Sequence, residues 1–200
     1  MSTLPKHYLT PEQYLDIERQ AEFRSEYYRG EMFAMSGASY AHVGIVANAM
    51  RELGQQLRQG PCRPLSNDMR VRVTPALYAY PDIVVVCGEP QFADDTFEIL
   101  LNPSVIVEVL SKSTEAYDRG LKFGQYRSLP SLSEYLMISS QQVSAELFTR
   151  QPDGRWLLTA VTRLEDSIDL PSVGCRLLLA DLYEKVELSP PQGAGEDVVR

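Results

Sequence analysis

Two apolar runs each carry an acid where a buried strand should carry none. In "PDIVVVCGEP" (81–90) Asp82 heads a row of β-formers, and in "VIVEVL" (105–110) Glu108 lies inside one. Continuous apolar runs of this kind mark strands covered on both faces, and therefore central in a sheet. An isolated carboxylate there costs several kcal/mol or takes up a proton, so something must compensate it. Folding the chain into an antiparallel hairpin about its polar midpoint, "ADDTF", pairs positions whose numbers total about 190, which sets Asp82 beside Glu108. The two carboxylates would then lie about 5 Å apart, a separation suited to a hard divalent cation such as Mg²⁺. On spacing alone a second reading stands equally: Asp82 caps a turn after Pro81, and Glu108 pairs with an arginine.

The rest of the chain supplies what such a sheet needs around it. Thr10 as N-cap and Pro11 at the first helical position predict a helix over 11 to about 20. "SEYYRGEMFAMSG" reads as a hairpin turning at Arg29 and Gly30. From Ser39 to Arg58, Val43, Val46, Met50, Leu53 and Leu57 recur at helical spacing and predict one apolar stripe. Met69, Val71 and Val73 alternate with Arg70 and Arg72, a strand with one buried and one wet face. A helix over about 113–128 follows the second apolar run, and "EYLMIS", "VSAELFTR" and "RWLLTAV" read as strands, the last two joined by a "QPDG" turn. The order predicts an α/β fold, a mixed central β-sheet flanked by helices.

With 200 residues, 44% of them hydrophobic, the chain can bury one sizeable core. The expectation is a single domain over 1–187 and a disordered Pro/Gly-rich tail over 188–200. No stretch approaches the roughly 18 apolar residues of a membrane span, and "MSTLPKHYLT" lacks the apolar segment of a signal peptide, so the expected location is the cytoplasm, with no membrane partner. Cys62, Cys87 and Cys175 are odd in number and widely spaced, and read as buried thiols. A net charge of −8 opposes binding to a polyanion. The stretch 51–72 runs against that balance, with five arginines against Glu52 and Asp68.

Asp82 in "PD" followed by Glu108 in an apolar strand resembles the PD-(D/E)XK nuclease superfamily. The longer strings "EYYRGEMFAMSGASYAHVGI" and "EVLSKSTEAYDRGLKFGQYRSLPSLSEYLMI" resemble the Uma-type restriction-endonuclease-like family over about residues 8–185. The resemblance implies a restriction-endonuclease-like core and Mg²⁺- or Mn²⁺-dependent cleavage of DNA phosphodiesters. The ion would be held by Asp82, Glu108 and the main-chain carbonyl of Val109, and would activate a water against the phosphate. It also implies an acidic role for Glu31, in the first family block.

The superfamily usually places a lysine two residues after the second acid, where this chain has Leu110. Lys112 lies four strand residues from Glu108, about 13 Å away. Lys122 lies about nine residues into the following helix, a rise of about 14 Å, so a helix folding back along the strand returns it to the level of Glu108. Lys122 is thus the expected migrated catalytic lysine, although Asp118 and Lys122 at i and i+4 could equally form a local ion pair. Tyr126 continues that face, and His42 starts the long helix. Arg70 and Arg72 are the expected DNA contacts. A homodimer or higher homo-oligomer is expected because cutting both strands with one site per chain takes two copies. The alternatives are a catalytically silent nuclease fold that binds DNA or protein, and an assembly protein associating through its C-terminal strands.

Overall fold

The computed structural model describes residues 8–35, 37–93 and 95–188. The expected tail thus lies, from residue 189 onwards, outside the described residues. In chain order the elements are α1 (Pro11–Gln20), β1 (Ser25–Tyr28), β2 (Glu31–Ala34), α2 (Tyr40–Leu57), β3 (Cys62–Ser66), β4 (Arg70–Thr74), β5 (Leu77–Ala79), β6 (Ile83–Cys87), β7 (Ile99–Leu100) and β8 (Val105–Leu110). There follow α3 (Glu115–Tyr117), a π-helical turn (Asp118–Lys122), α4 (Phe123–Tyr126), β9 (Glu134–Ser139), β10 (Ala145–Arg150), β11 (Trp156–Val161), β12 (Ser167–Leu170), β13 (Cys175–Leu178) and α5 (Leu179–Leu182).

The two apolar runs are the inner strands of a six-stranded mixed sheet ordered β11-β10-β9-β8-β6-β3. Both faces are covered, which is why the runs are apolar throughout. Ile83, Val85, Val105, Val107 and Val109 pack with Ile45, Leu53, Leu179 and Leu182, from α2 and α5. Val84, Val86, Ile106 and Leu110 pack instead with Val71, Leu77, Ala79 and Leu100 of a second, five-stranded sheet, β2-β1-β5-β4-β7, and with Phe123 and Tyr126. The carboxamide of Asn48 donates to the carbonyls of Leu182 and Glu184, at 3.0 and 2.9 Å, and ties α2 to the C-terminal helix. The fold is thus the expected mixed α/β class.

Local chemistry sets the ends of the elements. Thr10 and Gln13 form a reciprocal capping box at α1, and Ser39 accepts the His42 N–H at the start of α2. Arg29 and Gly30 turn the β1–β2 hairpin with φ of 47° and 93°, the positive values a two-residue turn needs to match strand twist.

Several expectations are corrected. The buried face of α2 is Ile45, Asn48, Ala49, Leu53 and Leu57, and Val43 is 54% exposed, because α2 presses on the sheet only from its second turn. The helix expected over about 113–128 runs continuously from Glu115 to Tyr126, but with its middle turn widened to a π turn between α3 and α4. β6 and β8 do not form a simple hairpin about "ADDTF", since β7, between them, pairs with β4 in the other sheet. Arg70 is only 4% exposed and does not lie on a wet face, because β4 is an inner strand roofed by Tyr14 and Tyr80. Of the three expected thiols only Cys175 is free and buried. Cys62 and Cys87 stand opposite each other in the β3–β6 register and are disulfide-bonded.

That disulfide staples the edge strand β3 across a sequence separation of 25. Closing such a loop stabilises by about 3 kcal/mol, so reduction should lower the free energy of unfolding by that order in a denaturant titration. Unreduced protein unfolded in guanidinium should titrate one thiol, and reduced protein three. Three thiols without reductant would refute the pairing.

Glu134 is fully buried at the head of β9, where the Ser172 N–H and hydroxyl donate to its carboxylate. Burial raises its pKa over the opposing effect of those bonds. A carboxyl with a raised folded pKa stabilises the fold below its unfolded value, and that contribution is lost as pH rises through the folded value. Glu134→Gln removes this titration, so its melting temperature should fall less than that of the wild type as pH rises above the ordinary carboxyl range of about 4.

Candidate active site

The β6–β8 register pairs Ile83 with Val107, Val84 with Ile106 and Val85 with Val105. One further step sets Asp82, just ahead of β6, at the level of Glu108. Alternation puts both acids on the face of Val84 and Ile106, towards the five-stranded sheet. Asp82 is clipped to the neighbouring strand, its Oδ2 accepting the Val109 N–H at 2.7 Å. The Glu108 Oε1 accepts the Tyr126 hydroxyl at 2.9 Å and the Lys122 ammonium at 2.8 Å, in a pocket that leaves Glu108 only 4% exposed.

Lys122 reaches Glu108 because the helix after β8 does run back along the strand, with one turn widened. In the π turn the Phe123 N–H donates to the carbonyl of Asp118, five residues earlier. Extra residues of this kind re-aim side chains, often at functional sites. Asp118, Lys122, Phe123 and Tyr126 are all buried as a result. The Lys122 Nζ also lies 3.0 Å from Glu26 Oε1, on β1, and 3.6 Å from Asp118 Oδ1. Glu26 is held in turn by the Tyr80 N–H at 3.2 Å, two residues before Asp82.

One ammonium thus faces three carboxylates, with Asp82 as a fourth acid beside it, a formal charge of −3. Burial pushes the Glu108 carboxyl up to about 8; the Lys122 charge opposes that rise, and the Asp82 and Asp118 charges add to it. Burial likewise raises Asp118. Lys122 is raised as well: its burial acts in the other direction but is outweighed by Glu108, Tyr126, Glu26 and Asp118. The common direction has two causes: burial raises the two carboxyls, and the surrounding acids raise the ammonium against the effect of its burial.

A divalent cation fits that donor set. Mg²⁺ is commonly held by one or two carboxylates, with waters and substrate oxygens completing its shell. Among the described residues no group of three or more His, Cys, Asp or Glu forms a metal cage. Asp82 and Glu108, with the Val109 carbonyl, are the groups that could hold such an ion and leave positions open to water and substrate.

The structure brings Asp82, Glu108, Val109 and Lys122 together. Lys112 stands exposed in the turn after β8. Glu31 opens β2, half-buried opposite Tyr28, at the edge of the five-stranded sheet. The glutamate that reaches Lys122 is Glu26, which sequence reasoning missed. The available signal was strand order, since β1 is the inner arm of the hairpin and only its residues face the second core. Arg70 donates its Nε to the Tyr80 hydroxyl at 2.7 Å inside the protein, and Arg72 is half-buried opposite Tyr78. His42, from the first turn of α2, puts its Nε2 3.2 Å from Asp82 Oδ2. Burial lowers its pKa, and the bond and charge of Asp82, with the Val109 main chain, outweigh that and raise it.

The family model Uma2, described as "Putative restriction endonuclease", matches residues 11–180. Two uncharacterized proteins of Synechocystis sp. are similar over most of their length. The protein sll1609 is 38% identical over 76% of this chain and 86% of its own, and slr1290 is 34% identical over 88% and 91%. A crystal structure from Anabaena variabilis, described as "a putative nuclease belonging to DUF820", superposes with a TM-score of 0.72 at 17% identity, covering 88% of this chain and 97% of that one. At that identity the likeness is one of fold.

Removing the ammonium should unfold more than it disarms. Lys122→Met strands Glu26 and Glu108 as unpaired buried acids and should cost about 3–5 kcal/mol. Adding Glu26→Gln should restore part of the loss, read as a coupling energy in a double-mutant cycle by denaturant unfolding. A loss below about 1 kcal/mol, the scale of an exposed pair, would refute the buried network.

Proposed function

Since the chain belongs to the Uma2 family, described as "Putative restriction endonuclease", we propose that it is a metal-dependent endodeoxyribonuclease whose reaction centre is Asp82, Glu108 and Lys122. The observation that carries this reading is the 2.8 Å contact of Lys122 with Glu108, on a carboxylate pair set side by side by strand register. A lysine next to two acids on the central strands restores the constellation that Leu110 breaks in the sequence.

On this reading Asp82, Glu108 and the Val109 carbonyl hold Mg²⁺ or Mn²⁺, which when bound lowers the pKa of a water and offsets charge on the phosphoryl group. Val109 positions Asp82 through its N–H, and Tyr126 positions Glu108 through its hydroxyl. Lys122 stays charged and orients the attacking water or meets the developing negative charge on phosphate, a preorganised group that needs no rearrangement during reaction. Arginines, fifteen against four lysines, suit bidentate phosphate contacts. Arg70 is engaged by Tyr80, which leaves Arg72 as the member of the pair able to meet a phosphate. Cutting both strands would take two copies of the chain. One observation favours a nuclease fold that binds without cleaving: Glu26, Glu108 and Asp118 all engage the Lys122 ammonium.

The test is nicking of supercoiled DNA by the purified protein with Mg²⁺ or Mn²⁺. Nicking is expected, lost in Asp82→Asn and Glu108→Gln, and about 10²- to 10³-fold slower in Lys122→Met at a temperature where that variant is folded. Metal should raise the melting temperature of the wild type and not of the two acid variants. Binding without nicking under either metal would overturn the nuclease reading in favour of the silent module.

A further inference from the structure

The first turn of α2 exposes its large apolar side chains and turns its imidazole inward. Tyr40 is 83% exposed and Val43 54%, whereas the His42 side chain is 15% exposed and turned inward on Asp82. Its backbone is fixed by the Ser39 cap, which accepts the His42 N–H at 3.2 Å. Packing does not account for this placement. The Nδ1 of His42 is buried without a hydrogen-bond partner among the described residues, and an unmet polar atom of that kind is destabilising. An apolar side chain would fill the same space without that penalty.

What the imidazole gains is contact with Asp82 and with the Val109 main chain beside it. The Asp82 Oδ2 accepts from Val109 N–H at 2.7 Å and lies 3.2 Å from His42 Nε2. Those two donors come from different elements, β8 and α2, and together they occupy one oxygen of the carboxylate. The other oxygen, Oδ1, has no bond to either.

We propose that His42 is a positioning residue: with the Val109 N–H it pins Asp82 Oδ2 and so presents Oδ1 to the cation. The proposal rests on the metal-site reading above and extends it to α2, which no motif of the two apolar runs includes. Hydrogen bonds from outside the ligand shell commonly matter 10- to 100-fold in metal affinity. His42 fits that role, since an unsupported aspartate must be ordered when the ion binds.

The test uses the full chain without DNA and reads the dissociation constant for Mn²⁺ by titration calorimetry, with thermal melts to show that each variant is folded. His42→Leu should weaken Mn²⁺ binding about 10- to 100-fold with little change in melting temperature of the metal-free protein. His42→Gln, whose amide can donate to the same oxygen, should stay close to wild type. Equal or tighter Mn²⁺ binding by His42→Leu would overturn the proposal. So would His42→Gln failing as badly as His42→Leu, which would mark the imidazole as a direct ligand. Asp82→Asn is the control that separates the two readings: if it binds Mn²⁺ as the wild type does, or the wild type binds none, the metal site itself falls and His42 with it.

Discussion

The ammonium of Lys122 inside a ring of carboxylates is the constraint that the rest of the structure serves. Burying such an ion is costly, and a hydrophobic substitute of the same volume would often be as stable or more so. Three segments far apart in sequence must therefore be held in place around it: Glu26 on β1, Glu108 on β8, and the π turn that carries Lys122 and Asp118. The two cores do this work. One packs α2 and α5 together on one face of the six-stranded sheet, the other packs the five-stranded sheet on the opposite face, and the acids open onto the second. Tyr126, Tyr117 and Tyr135 enclose the cluster, with the Tyr135 hydroxyl reaching the Asp118 carbonyl at 3.3 Å.

What could be read from the sequence was what depends on local periodicity. Period-two alternation fixes which face a strand residue takes, and the antiparallel register then follows from one symmetric pairing. The spatial association of Asp82 with Glu108 was legible for that reason. So was the return of Lys122, because strand and helix rises are constants and their lengths nearly cancel. The connection itself was misjudged, since nothing local announces that residues between β6 and β8 pair with another sheet.

The unread parts depend on strand order. Glu26 and Glu31 look alike in "SEYYRGEMFA", and only the placement of β1 between β2 and β5 distinguishes the glutamate that reaches Lys122. Arg70 alternates as a solvent-facing residue would, but Tyr14 and Tyr80 come from elsewhere to cover it. Cys62 and Cys87 look like unrelated thiols until β3 is known to pair with β6. The π turn had no signature beyond Gly120, because widening one turn changes no hydrophobic period long enough to count. In each case the deciding contact joins residues whose separation in sequence carries no information about their separation in space.

The charge distribution fixes how the proposed activity must work. With a net charge of −8 and a cluster in which acids outnumber the one ammonium, the bare site would repel the phosphate it is proposed to cut. Lys122 cannot reverse that alone, since its charge is already shared among the acids. In the proposed site the charges of Asp82 and Asp118, which add to the effect of burial in raising the Glu108 proton affinity, would also attract a divalent ion. On the nuclease reading, cation and DNA are therefore conditions for each other: the ion neutralises the acids that exclude the phosphate, and the phosphate oxygen completes a shell that two carboxylates and a carbonyl leave open.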